Sequence, residues 1–189
     1  MSNTRKVKIF PTLLQHTNNF LNQVECKEMI DLITKDKLSS HLCLEGGAKS
    51  THKITSNVLT KPILEKLQVE IKEYQLDYGV RELKIDNSWV NIQNKNSVLN
   101  KHSHPDSIIS GVIYLKTGEK SNKIYFYNPN VYITFVNFIK NTEFNSDNYF
   151  FVPQVGDLIL FPSWLMHGSN ENKNGSSSRI ALSFNTVYK

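Results

Sequence analysis

The chain has little cysteine: two residues, Cys26 and Cys43, among 189. That is too few for a disulfide framework, and the pair lacks zinc-motif spacing. Both read as reduced, partly buried thiols, the usual fate of free cysteine. No apolar run reaches about 18 residues, which excludes a transmembrane helix. The start, "MSNTRKVKIFPTLLQHTNNF", lacks the apolar core of a signal peptide, so a cytoplasmic protein is expected. There is no dense basic cluster. The 22 Lys and Arg against 17 Asp and Glu leave a net charge of +5, a mild attraction to anions that argues against a nucleic-acid partner. No Gly-rich phosphate loop occurs, "GDLILFPSW" is not a nucleophile elbow, and neither cysteine has the partner pattern of a nucleophile.

What is present fits a globular protein. Hydrophobic residues make up 39% and charged residues 21%. The length suits one domain, residues 1–189, with a helical support region over 1–82 and a β core over 83–189. "VKIFPTLLQ" reads as an opening strand. "NQVECKEMIDLITKDKL" places Cys26, Ile30 and Ile33 on one helical face beside Met29. Thr60 to Tyr78 is the clearest helix. Thr60 is a candidate N-cap, Pro62 fits the first turn, Ile63, Leu67, Ile71, Tyr74 and Tyr78 form one apolar stripe, and Gly79 stops it. From residue 83 the periodicity changes. "LKIDNSWVNIQ", "SIISGVIYL", "KIYFYNP", "VYITFVNF", "YFFVP", "DLILFP" and "RIALSFNTVY" are short Val-, Ile- and aromatic-rich runs between polar turns. Such a series predicts a sandwich or barrel, with the early helices covering one face of the larger sheet.

The chemistry concentrates in two blocks. In "NKHSHPDSIISGVIYL", His102, His104 and Asp106 recur at every second position, so on an extended backbone they share a face. Pro105 holds His104 away from the helical region. Imidazole and carboxylate together suit iron, zinc, manganese or nickel. In "GDLILFPSWLMHGSNENKNGSSSRIALSFN", His167 follows one strand and Arg179 begins the last. Alternation puts Arg179, Ala181, Ser183 and Asn185 on one face. Ile180, Leu182 and Phe184 fall on the other, expected to pack between the sheets. A buried arginine calls for an anion, and its planar fork matches a carboxylate. An inward Arg179 beside an inward metal site is therefore a place for a carboxylate ligand that also reaches the metal.

These two blocks, roughly Ser88 to Asn185, resemble the iron(II)- and 2-oxoglutarate-dependent oxygenases. More narrowly they resemble a 2-oxoglutarate oxygenase subfamily common in marine bacteria and their phages. The resemblance implies a double-stranded β-helix, a jelly-roll barrel supported by two or more helices. It implies Fe(II), 2-oxoglutarate as cosubstrate and O2, with hydroxylation of a C–H bond and release of succinate. His102 and His167 match the two metal histidines, and Arg179 the clamp on the distal carboxylate of 2-oxoglutarate. Ser183 would assist Arg179, Tyr114 matches a cosubstrate-holding tyrosine of prolyl hydroxylases, and Asn91 points inward nearby. The third ligand stays open. Pairing His102 with His104 gives His-x-His, whereas pairing His104 with Asp106 gives the usual His-x-Asp. The resemblance favours a peptide or protein substrate, prolyl above all, over a small molecule. The loops His41 to Asn57, with its Gly46-Gly47 hinge, and Asn128 to Asn148 are placed to sort substrates. Two other readings use the same residues. One is a cupin-like three-histidine metalloprotein without 2-oxoglutarate, which would have no need of Arg179. The other is a non-enzymatic jelly-roll binding module.

Overall fold

A computed structural model of the chain describes residues 5–33, 38–40, 43–51, 58–169 and 173–189. The expected lid at 41–57 therefore lies partly outside the described residues, as does part of the turn before Arg179. The elements run β1 (Gln15–Thr17), α1 (Gln23–Ile33), β2 (Leu44–Glu45), β3 (Lys49–Ser50) and α2 (Lys61–Tyr78). They continue with β4 (Leu83–Asn94), β5 (Val98–Leu99), β6 (Ile109–Lys116), β7 (Ile124–Tyr127), β8 (Asn148–Phe151), β9 (Leu158–Pro162), β10 (His167–Gly168) and β11 (Ser178–Tyr188).

Helix α2 forms for the reasons its stripe announces. Ile63, Leu67, Ile71 and Tyr74 are buried, and Gly79 closes the helix in the left-handed conformation at φ +74°. Thr60 sits at the N-cap with extended backbone but makes no capping hydrogen bond, so Pro62 and the stripe carry the helix start. In α1, Cys26, Met29 and Ile33 are buried. Its cap is Asn22, whose side chain accepts from the Val24 and Glu25 amides while Glu25 accepts from the Asn22 amide, a capping box.

Two antiparallel sheets carry the β region. The larger has order β1-β9-β6-β11-β4-β3, and the smaller β10-β7-β8. β2 and β5 form a separate two-stranded ribbon. The larger and the smaller are the two sheets of the expected jelly roll; among the described residues no ladder joins one sheet to the other, so they do not close into a continuous barrel. Two apolar clusters divide the core. One joins the large sheet to α1 and α2, and includes Ile180, Leu182 and Phe184. These residues therefore face the helices, not the second sheet as expected. The other joins the two sheets through Val112, Tyr114, Ile124, Phe126, Phe161 and Ala181. The correction has a simple cause: the helical layer supplies the larger apolar surface, so the bulkier face of β11 turns to it, leaving the smaller Ala181 face to line the interior.

Two other runs differ from expectation. "VKIFPTLLQ" contributes only its last residue to β1: Leu13 and Leu14 pack against the core, whereas Val7, Ile9 and Phe10 stay exposed. "VYITFVNF" makes a short 3-10 turn at Val131–Phe135 with no buried residue. Among the described residues, no helix is long and apolar enough to cross a membrane.

Candidate active site

Strand pairing delivers the three histidines to one place. His102 and His167 form an antiparallel bridge, each amide donating to the other's carbonyl at 2.9 Å. The His104 amide donates to the Ser163 carbonyl at 2.9 Å, tying the next turn to the end of β9. The result is a triangle of imidazoles with ring centroids 4.4, 4.9 and 5.1 Å apart, whose ligand atoms lie within 4.8 Å of one another.

Each ring is held through the same nitrogen. His102 Nδ1 donates to the Asn100 carbonyl at 2.7 Å, and His167 Nδ1 to the Leu165 carbonyl at 2.9 Å. His104 Nδ1 lies 2.7 Å from Asn185 Oδ1 and 2.8 Å from Ser110 Oγ. Ser110 in turn donates to Asn185 Oδ1 and lies 2.8 Å from Ser163 Oγ. With Nδ1–H spent on oxygen acceptors, the lone pair of every ring resides on Nε2, the usual arrangement of metal-binding histidines. Burial lowers the pKa of His102, and burial followed by the two neighbouring histidines holds His167 well below the ordinary range. Both are thus neutral and able to ligate near neutral pH.

Asp106 does not join this group. It is exposed, with φ +65° in the tight turn after Pro105. The turn breaks the extended geometry that would have carried the two-residue period one step further.

The histidines open on a pocket lined also by Trp89, Asn91, Tyr114, Arg179, Ala181 and Ser183 among others. Arg179 is 4% exposed, and among the described residues no ion pair includes it. One of its terminal nitrogens donates to Gln93 Oε1, its guanidinium lies 4.9 Å from the Tyr114 ring centre, and its Nε has no hydrogen-bond partner. Burial lowers its pKa and raises that of the Tyr114 phenol, and the attraction between the two groups opposes both shifts; the Tyr114 hydroxyl has no acceptor for its own proton. Gln93 Nε2 and Asn91 Oδ1 are buried without partners too. Unpaired buried polar atoms are costly and rare, and here they gather around one cation. Three donors, on Arg179, Tyr114 and Gln93, lack an acceptor. A carboxylate is the chemistry that fits them.

Seven of the eight residues expected at the site are thus brought to one pocket or its wall; Asp106 is not. Gln93, Asn185, Ser110 and Ser163 join the site without a motif of their own. A signal existed for two of them: Gln93 continues the alternation of Trp89 and Asn91 on β4, and Asn185 continues that of Arg179 and Ser183 on β11.

The donor set fits a transition metal, since three imidazoles pre-set through Nδ1 suit iron, and the pocket beside them fits a dicarboxylate. Residues 87–185 match the model of a family described as "Putative 2OG-Fe(II) oxygenase". No curated protein matches the chain. Solved structures similar in fold include an oxidoreductase of the 2OG-Fe(II) oxygenase family from Burkholderia pseudomallei, at 13% identity and TM-score 0.67 over 93% of this chain and 85% of that one. HygX from Streptomyces hygroscopicus, solved with nickel, 2-oxoglutarate and hygromycin B bound, aligns at 12% identity and TM-score 0.65 over 94% of this chain and 84% of that one. A Pseudomonas putida prolyl-4-hydroxylase aligns at 11% identity and TM-score 0.63, covering 94% of both chains. The matched span is over half of the chain, and the chain belongs to the 2OG-Fe(II) oxygenase family, whose members use Fe(II), 2-oxoglutarate and O2.

Proposed function

We propose that this 2OG-Fe(II) oxygenase is a hydroxylase that binds iron through His102, His104 and His167 and 2-oxoglutarate through Arg179. The observation that carries the reading is the pairing of a pre-oriented imidazole triangle with a buried, unpaired cation in one pocket. Tyr114, Gln93 and Ser183 complete the cosubstrate site, and Asn91 lies on its wall. Asp106 takes no part in metal binding.

When bound, iron and 2-oxoglutarate together supply the oxidation, in which O2 and the cosubstrate are consumed, succinate and CO2 leave, and a C–H bond of the substrate becomes C–OH. The protein's part is positional. The bridge between His102 and His167 fixes two ring planes against each other. Asn185 and Ser110 fix the third. Arg179 selects a five-carbon dicarboxylate by its depth in the pocket, because a monocarboxylate oxo acid leaves the guanidinium unpaired. Phe126 and Phe161, packed on His167, keep water from that side. A third neutral ligand in place of a carboxylate leaves one more positive charge on the metal, which strengthens its hold on an anionic cosubstrate. Substrate identity rests on likeness of fold alone. A peptide or protein with an accessible prolyl residue is the reading favoured, as the Pseudomonas protein is named a prolyl-4-hydroxylase.

The Arg179 pocket also weighs against a three-histidine metalloprotein without 2-oxoglutarate, since such a protein has no anion to satisfy it. The test is anaerobic addition of Fe(II) and 2-oxoglutarate, followed by visible absorption. A weak charge-transfer band is expected in wild type and in Asp106→Ala, and none in His167→Ala. A band lost in Asp106→Ala but kept in His104→Ala would overturn the ligand assignment.

A further inference from the structure

The face least explained by the active site is the β7–β8 hairpin and its long connection. Residues 129–139 contain no charged side chain. Tyr132, Phe135, Phe138, Ile139 and Phe144 are all exposed, Phe135 at 79% and Ile139 completely. On β8, Tyr149 and Phe150 are both exposed. Neighbouring strand residues point to opposite faces: Tyr149 lies on the side of Phe151, which packs on the core between the sheets, and Phe150 faces outward under Lys123. With ~200 Å² for a whole aromatic and somewhat less for Val or Ile, the exposed parts of the apolar side chains over 131–152 come to roughly 1,000 Å². The largest apolar patch on a typical monomer is about 300–600 Å², and a stable interface takes about 800 Å² from each partner. Summed over both sides of the hairpin, this apolar surface exceeds the first figure and is of the order of the second.

Its chemistry points to the occupant. The centre is uncharged, and charge appears at the margin, where Lys8 pairs with Glu143 at 2.6 Å and Lys123 lies over the Phe150 ring. An apolar centre with a charged rim is the anatomy of a protein–protein interface. In addition, among the described residues β8 ends the order β10-β7-β8, so its outer side is a sheet edge. Its sequence, Asn148–Phe151, carries none of the lysines, prolines or bulges that protect an edge from pairing. An antiparallel edge is self-complementary about a two-fold axis.

We propose that this face binds a second copy of the chain, with β8 pairing antiparallel to its mate across the two-fold and the 131–144 connection covering the junction. The small sheet would then run through both copies as six strands. The surface has a link to the site, because β7 is hydrogen-bonded to β10, which carries His167, with Phe126 opposite it. Dimerisation would brace the strand holding a metal ligand.

The experiment is sedimentation velocity over a range of protein concentrations, on wild type and on the double variant Phe135→Asp, Ile139→Asp. Both side chains are exposed, so the variant should keep the wild-type circular dichroism and its capacity to bind metal. Wild type should sediment as a dimer, and the variant should dissociate about 100-fold or more readily. Hydrogen exchange gives the second reading: amides of Asn148–Phe151 should be protected in concentrated wild type and should exchange faster on dilution. A wild type that is monomeric at all concentrations overturns the proposal and returns the face to a substrate or another partner. A dimer untouched by the double substitution, or one in which β8 exchanges freely, overturns it equally.

Discussion

Replacing Arg179 by methionine separates a cation kept for a ligand from one kept for the fold. In the ligand-free protein this guanidinium is buried, has no carboxylate partner among the described residues, and leaves its Nε unpaired. Burying a charge without a partner costs several kcal/mol, which methionine of similar length relieves. Against that, Gln93 Oε1 loses its donor, at about 1–3 kcal/mol. The opposing effects should leave stability without 2-oxoglutarate within about 2 kcal/mol of wild type, a melting shift of no more than about 8 °C for a chain of this size. Cosubstrate binding should respond very differently. Hydrogen bonds to a charged group contribute about 1.5–3 kcal/mol each, so losing a two-point clamp removes about 3–6 kcal/mol. At 1.4 kcal/mol per tenfold, the dissociation constant for 2-oxoglutarate should rise about 100- to 20,000-fold. Thermal melting with and without cosubstrate, and anaerobic titration of the iron–2-oxoglutarate band, measure the two quantities separately. A variant that melts more than about 15 °C lower yet binds 2-oxoglutarate normally would show Arg179 to be structural, and the cosubstrate reading would fall.

Other outcomes follow from the same geometry. Asn185→Ala removes the oxygen that orients His104 and should weaken metal binding by about 10- to 100-fold, with little change in the affinity of the metal-loaded protein for 2-oxoglutarate; competition with a chromogenic chelator reads the first effect. The pKa values of His102 and His167 are depressed in the folded state, so the unfolded chain takes up protons first as pH falls. Stability of the metal-free protein should therefore be full above about pH 6.5 and decline below it, by at most about 1.4 kcal/mol per pH unit for each of the two rings, as denaturant titrations at several pH values would show. Gly111→Ala would place a methyl group 2.2 Å from the buried Phe184 ring, and should cost about 1–3 kcal/mol in the same assay.

Much of the site is legible along the chain because side-chain alternation is a local property. His102, His104 and the Arg179–Asn185 face follow from a period of two, and the α2 stripe from a period of three to four. The local rule fails at particular places. Asp106 belongs to the period of two by spacing, but the chain turns after Pro105, and a positive φ ends the alternation. "VYITFVNF" has strand composition, yet no neighbouring strand offers it backbone partners, so it curls into a short turn. The apolar face of β11 is evident from the sequence, whereas the layer it packs on is not, because helices and a second sheet bury the same side chains equally well.

The residue types at the centre are thus determined by the sequence alone: imidazoles for a metal, a guanidinium for a carboxylate, and strands to carry them. Tertiary structure decided which of these meet. Asn185 reaches His104 across 81 positions, and Gln93 reaches Arg179 across 86. Those contacts depend on the register between β4, β6 and β11, which no single strand encodes. A shift of one residue would turn each of these side chains to the opposite face. Register is fixed by burying one face of all three strands against the helices at once, and that is a property of the packed chain.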